Sequence, residues 1–252
     1  MTTALAIANQ KGGVGKTTTA INLGAALAAL EKNVLLVDCD AQGHAARGLG
    51  VEPDEPTLYE VLIGDATMEE AIRSTRLACL HIVPSNRALV GAEVEFVGLA
   101  GWQYRLSRAL AEVADRYDTI LLDCPPSLGH LTLNALVAAD GVLVPLQCEY
   151  FALEGIKELL RTVERVQQGL NARLQLTGIL LTMYDERTNL ARDVAREVRT
   201  HFGSRVYNTV VPRNVRLAEA PSHGLSILNY DILSRGARAY LALAREILSR
   251  RQ

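Results

Sequence analysis

Aromatic residues are scarce: one Trp, three Phe and eight Tyr among 252 residues. A surface that stacks successive bases of a single-stranded nucleic acid needs more rings than that, so such binding is poorly supported. Lysine is scarcer still. Of 26 basic residues only Lys11, Lys16, Lys32 and Lys157 are lysines, and the first two lie within six positions of each other. Net charge has no strong sign, with 26 basic against 28 acidic groups, so polyanion binding cannot rest on bulk charge and would need a local patch. The four cysteines, Cys39, Cys79, Cys124 and Cys148, show no C-x-x-C pair and no Cys/His spacing of a structural zinc site. A reducing, cytoplasmic setting follows. Eighteen consecutive apolar residues occur nowhere, and the opening apolar stretch Ala4–Ala8 stops at Asn9, Gln10 and Lys11. Neither a membrane span nor a secretory signal is expected.

What is present is apolar material for a sizeable core, 49% hydrophobic residues, arranged as short runs alternating with longer helical patterns. The segments 4–8, 33–38, 119–123, 142–146 and 174–181 read as buried strands. Helical patterns cover 17–30, 102–116, 131–138, 151–168, 190–202 and 233–250. Strands separated by helices of this length predict parallel β-α-β units, hence one doubly wound α/β domain with helices on both faces of a mostly parallel sheet. The stretch 49–84, with Pro53, Pro56 and two short helical patches, is the least regular and is expected to cross the surface rather than form a domain. Ligands of such sheets sit beyond the carboxyl ends of the strands.

At that end of the first strand stands KGGVGKTT, Lys11 to Thr18. Gly12, Gly13 and Gly15, with Val14 between them, let the backbone turn tightly so that N–H groups face phosphate oxygens. The following helix adds its partial positive charge. Lys16 would neutralise the β and γ phosphates of ATP, the Thr17 hydroxyl would ligate Mg²⁺, and Thr18 completes the loop. The common spacing G-x-x-x-x-G-K-[ST] requires Gly at position 10, where this chain has Gln10. It has instead a second lysine, Lys11, at the head of the loop.

Two aspartates, Asp38 and Asp40, close the second strand. An aspartate there can orient water or hold a metal's outer shell, although two such residues could equally cap a turn. Asp123 ends the strand before Pro125 and Pro126, where a carboxylate can hold the water shell of Mg²⁺.

The two-lysine loop resembles the deviant Walker A motif of ParA/MinD-class P-loop ATPases. Further passages, PLQCEYFALEGI (145–156), GILLTMYDERTNLARDV (178–194) and VVPRNVRLAEAPSHG (210–224), extend the resemblance to the short ParA/Soj type along nearly the whole chain. The resemblance implies that Lys11 reaches across a homodimer to the partner's nucleotide and that Asp40 is the hydrolytic carboxylate, also near the metal. It places Met183, Pro212 and Asn214 at adenine, and Arg187 and Arg216 on a surface facing non-specific double-stranded DNA. It also implies weak intrinsic hydrolysis stimulated by a ParB-type centromere-binding partner, nucleoid association, and no membrane. Where the family commonly has D-P-Q-G-N, this chain has Ala41 and His44 around Gln42-Gly43. The phosphate loop starts at residue 11, so the amino-terminal helix-turn-helix of longer plasmid relatives is not expected, nor is operator recognition.

Charge distribution bears independently on DNA. Residues 1–130 carry 10 basic and 16 acidic groups, whereas residues 157–216 carry 11 and 6. A basic patch late in the chain is compatible with phosphate binding, and also with a solvated Arg-rich helix surface. Three other functions compete. A MinD-like membrane-associated positioning ATPase would use 233–250 as an amphipathic helix. A redox carrier like the nitrogenase iron protein would need Cys39 or Cys124 at a dimer face. A ligase of the dethiobiotin synthetase kind would turn the loop on a small molecule.

Overall fold

Five short apolar runs become strands because such segments can be buried on both faces of a sheet only if every backbone group is paired within it. The computed structural model describes residues 2–149 and 152–250; Tyr150 and Phe151, within a motif and a helix named above, lie outside the described residues. In chain order the elements begin with β1 (Thr3–Ile7), α1 (Lys16–Ala29), β2 (Val34–Asp38), α2 (His44–Gly48), α3 (Leu58–Ile63), α4 (Met68–Ala71), β3 (Arg73–Ser74) and β4 (Leu80–Val83). Next come α5 (Leu89–Glu95), α6 (Arg105–Ala111), β5 (Thr119–Asp123), α7 (His130–Ala138), β6 (Gly141–Gln147), α8 (Ala152–Gly169) and β7 (Gln175–Tyr184). The last are α9 (Asn189–Phe202), β8 (Val206–Pro212), α10 (Val215–Glu219), α11 (Ile227–Tyr230) and α12 (Arg235–Arg250).

The strands form one eight-stranded sheet in the order β3-β4-β2-β5-β1-β6-β7-β8, parallel except where β3 runs against β4. Successive residues of each central strand point to opposite faces and join opposite cores. Ala4 and Ala6 of β1, Leu35 and Val37 of β2, and Ile120 and Leu122 of β5 face one core, shared with α3, α6, α7, α8 and α9. Leu5, Ile7, Val34, Leu36 and Leu121 face the other, shared with α1, α2 and α12. This is the doubly wound α/β architecture that the alternating pattern predicts.

Three local expectations are corrected. The irregular stretch 49–84 does not merely cross the surface: it supplies β3 and β4, and β4 pairs with β2 in register Val37 to Val83. The pattern at 102–116 is broken into a 3₁₀ turn (Trp102–Tyr104), α6 and a second 3₁₀ turn (Ala114–Arg116). The edge strand β8 has no counterpart among the segments read as strands, because Asn208 and Thr209 interrupt its apolar run.

Candidate nucleotide site

Chain order and parallel pairing bring the carboxyl ends of β1, β2 and β5 together, with Ile7 and Asp38 both level with Asp123. The phosphate loop leaves β1 here. Its entry is fixed by Asn9, whose Nδ2 donates to the Pro145 carbonyl at 2.7 Å while its Oδ1 accepts the Lys11 N–H at 3.0 Å. Its crest is fixed by Thr182 of β7, which donates to the Val14 carbonyl at 2.8 Å. Gly13 and Gly15 have φ of +74° and +88°, the left-handed region in which a side chain is strained. A Cβ on Gly12 or Gly13 would meet nothing within 4 Å, so the space beside these two glycines is open.

Helix α1 starts at Lys16 with no acidic residue in its first turn, so no carboxylate of that turn offsets the helix dipole. Lys16 is only 7% exposed, and its Nζ donates to the Lys11 carbonyl at 3.2 Å. Burial holds its pKa below the ordinary lysine value, opposed chiefly by the charge of Asp123. Lys11 forms an ion pair with Glu149, beyond β6, a partner that sequence spacing gave no reason to choose.

Asp123 is fully buried, and neither carboxylate oxygen has a hydrogen-bond partner among the described residues. Its pKa is well above the ordinary range, from burial first and the neighbouring Asp38 charge second; the nearby Thr17 hydroxyl, outside hydrogen-bond geometry here, and the Lys16 charge pull the other way. Asp38 is equally buried. Its Oδ1 accepts the Asp40 N–H at 3.1 Å and its Oδ2 the Ala45 N–H at 3.0 Å, and burial pushes its pKa up to about 7. Asp40 lies in the turn above, where its Oδ1 accepts the Gln42 N–H at 3.0 Å.

A cavity of about 310 Å³ adjoins the loop, lined by Gly15, Thr18, Thr182, Met183, Pro212 and Asn214 together with Tyr240. Met183 has φ +48°, unusual for a side-chain-bearing residue. Asn214 caps α10, its Oδ1 accepting the Arg216 N–H at 2.9 Å. Arg187 and Arg216 follow the ends of the neighbouring strands β7 and β8, and both are ion-paired within the chain. Arg187 grips Asp185 through Nε and Nη2 at 2.9 and 2.7 Å, and Arg216 reaches Glu219 at 2.9 Å and Asp231 at 3.7 Å. Thr182 and Glu149 were missed by sequence reasoning, since each acts through a contact distant in the chain.

The arrangement suits a nucleoside triphosphate with Mg²⁺: an open loop of backbone donors, a desolvated lysine, and a buried carboxylate whose hydrogen bonds are unmade. Among the described residues there is no cluster of three or more His, Cys, Asp or Glu that could hold a metal on its own. Phosphate and water ligands would complete the shell, as Mg²⁺ usually requires. Cys39 and Cys124 are both buried, their thiols pushed well above the usual pKa by burial.

Fold and loop together define a P-loop ATPase of the two-lysine type. A family model described as an AAA domain matches residues 2–176. The chain is 54% identical over 248 residues to the chromosome partitioning protein ParA of Myxococcus xanthus, covering 98% of this chain and 88% of that protein. It is 55% identical over 246 residues to the chromosome-partitioning ATPase Soj of Treponema pallidum, covering 98% and 97%. Among solved structures, a Mycobacterium smegmatis protein described as cobyrinic acid a,c-diamide synthase with bound ADP and magnesium superposes with a TM-score of 0.86 at 43% identity, covering 98% and 94%. This chain belongs to the ParA/Soj family of chromosome-partitioning ATPases.

Proposed function

We propose that ATP closes a homodimer of this chain, that the dimer holds non-specific double-stranded DNA, and that hydrolysis stimulated by a ParB-type centromere-binding partner releases it. The observation that carries the reading is the convergence of Lys11, Lys16, Asp40 and Asp123 around the open loop at one end of the sheet. Lys16 would hold the β and γ phosphate oxygens. The Thr17 hydroxyl and, through water, Asp123 would hold Mg²⁺, which when bound supplies charge neutralisation on the phosphates. Asp40 would orient the attacking water and lie near the same ion. The backbone of Lys11–Thr18 would bind phosphate, and the cavity beside Met183, Pro212 and Asn214 would take the adenine.

Lys11 is half-exposed at the loop's head, which suits a residue that would leave its own chain for a partner's nucleotide. Nucleotide state would then set DNA affinity, because closure doubles the Arg187 and Arg216 surfaces on one body. A nucleoid-associated, cytoplasmic protein follows from this reading. The MinD-like alternative is disfavoured by α12: its apolar residues Tyr240, Leu243 and Ile247 are already buried against the sheet and α1. No helix among the described residues is long and apolar enough to cross a membrane.

The test is a DNA mobility assay with ATP, ADP or no nucleotide, on the wild type and on Lys11→Ala, Asp40→Ala and Arg187→Ala. Retardation only with ATP, abolished in Lys11→Ala, kept in Asp40→Ala and weakened in Arg187→Ala, supports the reading. Equal retardation with ADP and ATP contradicts it. Turnover that responds to a small carboxylic acid and not to DNA would favour the ligase class.

A further inference from the structure

Ser85, just beyond β4, has no part in the site described so far. It is fully buried, and its hydroxyl donates to the Asp40 carbonyl at 2.5 Å. That carbonyl also accepts the Gly43 N–H at 3.0 Å, closing the turn 40–43. The fit is tight on the other side as well. Gly43 has φ +63°, and a Cβ there would stand 2.6 Å from the Ser85 carbonyl oxygen. From below, Asp38 takes the N–H groups of Asp40 and Ala45. Two buried side chains, carried at the ends of the paired strands β2 and β4, therefore clamp one turn.

The Asp40 carboxylate has little hold of its own. Among the described residues its one hydrogen bond comes from the Gln42 N–H inside the same turn. Its direction is inherited from the backbone that Ser85 and Asp38 fix.

We propose that Ser85 is a positioning residue for ATP hydrolysis, setting the Asp40 carboxylate through the Asp40 backbone. The inference rests on the reading of Asp40 as the hydrolytic carboxylate. Among the described residues the Ser85 hydroxyl bonds the Asp40 carbonyl and not the phosphate loop, so its removal should act on turnover and spare binding. A displacement of about 1 Å in a catalytic group can lower a rate about 100-fold. Removing one hydroxyl while the carbonyl keeps its Gly43 partner leaves the group satisfied, which argues for a partial effect.

The experiment measures basal Mg²⁺-dependent turnover and ATP affinity for the wild type, Ser85→Ala, Asp40→Ala and the double variant. Ser85→Ala is expected to lower kcat about tenfold while the ATP Kd stays within about twofold. In the Asp40→Ala background the same change should lower the residual rate less than about twofold, a coupling that a purely structural role would not give. Wild-type turnover in Asp40→Ala overturns the underlying reading. A large drop in Asp40→Ala beside a wild-type kcat in Ser85→Ala overturns this inference alone, as does a parallel fall of kcat and ATP affinity. If Ser85→Ala does not fold, Gly43→Ala presses on the Ser85 backbone carbonyl and so shifts the same turn by another contact. A decrease confined to kcat supports the proposal there, and a wild-type kcat overturns it.

Discussion

Lys11 and Glu149 form an ion pair inside one chain, joining the head of the phosphate loop to the segment beyond β6. Both side chains are nearly half-exposed, at 40% and 45%, and a pair so placed typically stabilises by no more than about 1 kcal/mol. It competes with any bond Lys11 makes to a second chain. Glu149→Gln is therefore expected to leave thermal stability nearly unchanged and to lower the protein concentration at which ATP drives dimer formation. Analytical ultracentrifugation across a concentration series checks this, and weaker dimerisation would count against the competition.

Asp38 and Asp123 are side by side on paired strands, both buried. The folded-state pKa of Asp38 is raised, to about 7 from an ordinary value near 3.8, chiefly by burial. The folded state therefore binds the proton more tightly than the unfolded chain. That contribution to stability is fully present below about pH 4 and is lost as pH rises through about 7. For the nucleotide-free protein, Asp38→Asn is expected to flatten this part of the pH profile in urea titrations. An unchanged slope between pH 4 and 7 would show that the burial of Asp38 does not govern it.

Arg187 is held by both oxygens of Asp185, which lowers the Asp185 pKa to about 2 through hydrogen bonding first and charge second. Under the proposed reading, a guanidinium so engaged is partly neutralised before any DNA phosphate reaches it. Asp185→Asn is expected to tighten ATP-dependent DNA binding, and Arg187→Ala to weaken it. For every DNA phosphate that Arg187→Ala leaves unneutralised, the slope of log K against log salt should flatten by about 0.9. Fluorescence anisotropy over a salt series reads both, and identical slopes for all three proteins would remove Arg187 from the DNA surface.

Leu243 of α12 is fully buried against the core that includes α1, and the Tyr240 hydroxyl stands 3.2 Å from that of Thr19. Leu243→Ala is expected to destabilise by about 2–5 kcal/mol in urea unfolding. The wild type should not sediment with anionic liposomes in ATP. Sedimentation would mean that α12 leaves its seat, and would revive the membrane reading.

Much of this architecture was legible because its signals are local. Compact apolar runs marked β1, β2, β5 and β6, the Ile179–Leu181 run marked β7, and glycine and lysine spacing marked the loop. Strand β4 was hidden by His81 and by its irregular approach, and β8 by Asn208 and Thr209. Both strands are specified by what they pair with more than by their own composition. The same distinction runs through the site. Lys16, Thr17 and Asp123 announce themselves by position, and Met183, Pro212 and Asn214 were reached only through family resemblance. Ser85, Thr182 and Glu149 could not be seen at all, since each is set by a partner 45 or more residues away.

The most direct test is the mass of Asp40→Ala in solution with Mg²⁺ and saturating ATP, measured by light scattering with and without duplex DNA. Two chains per particle with ATP, one with ADP, and DNA bound only by the pair is the expected result. A single chain at saturating ATP that still binds duplex tightly would contradict the central claim.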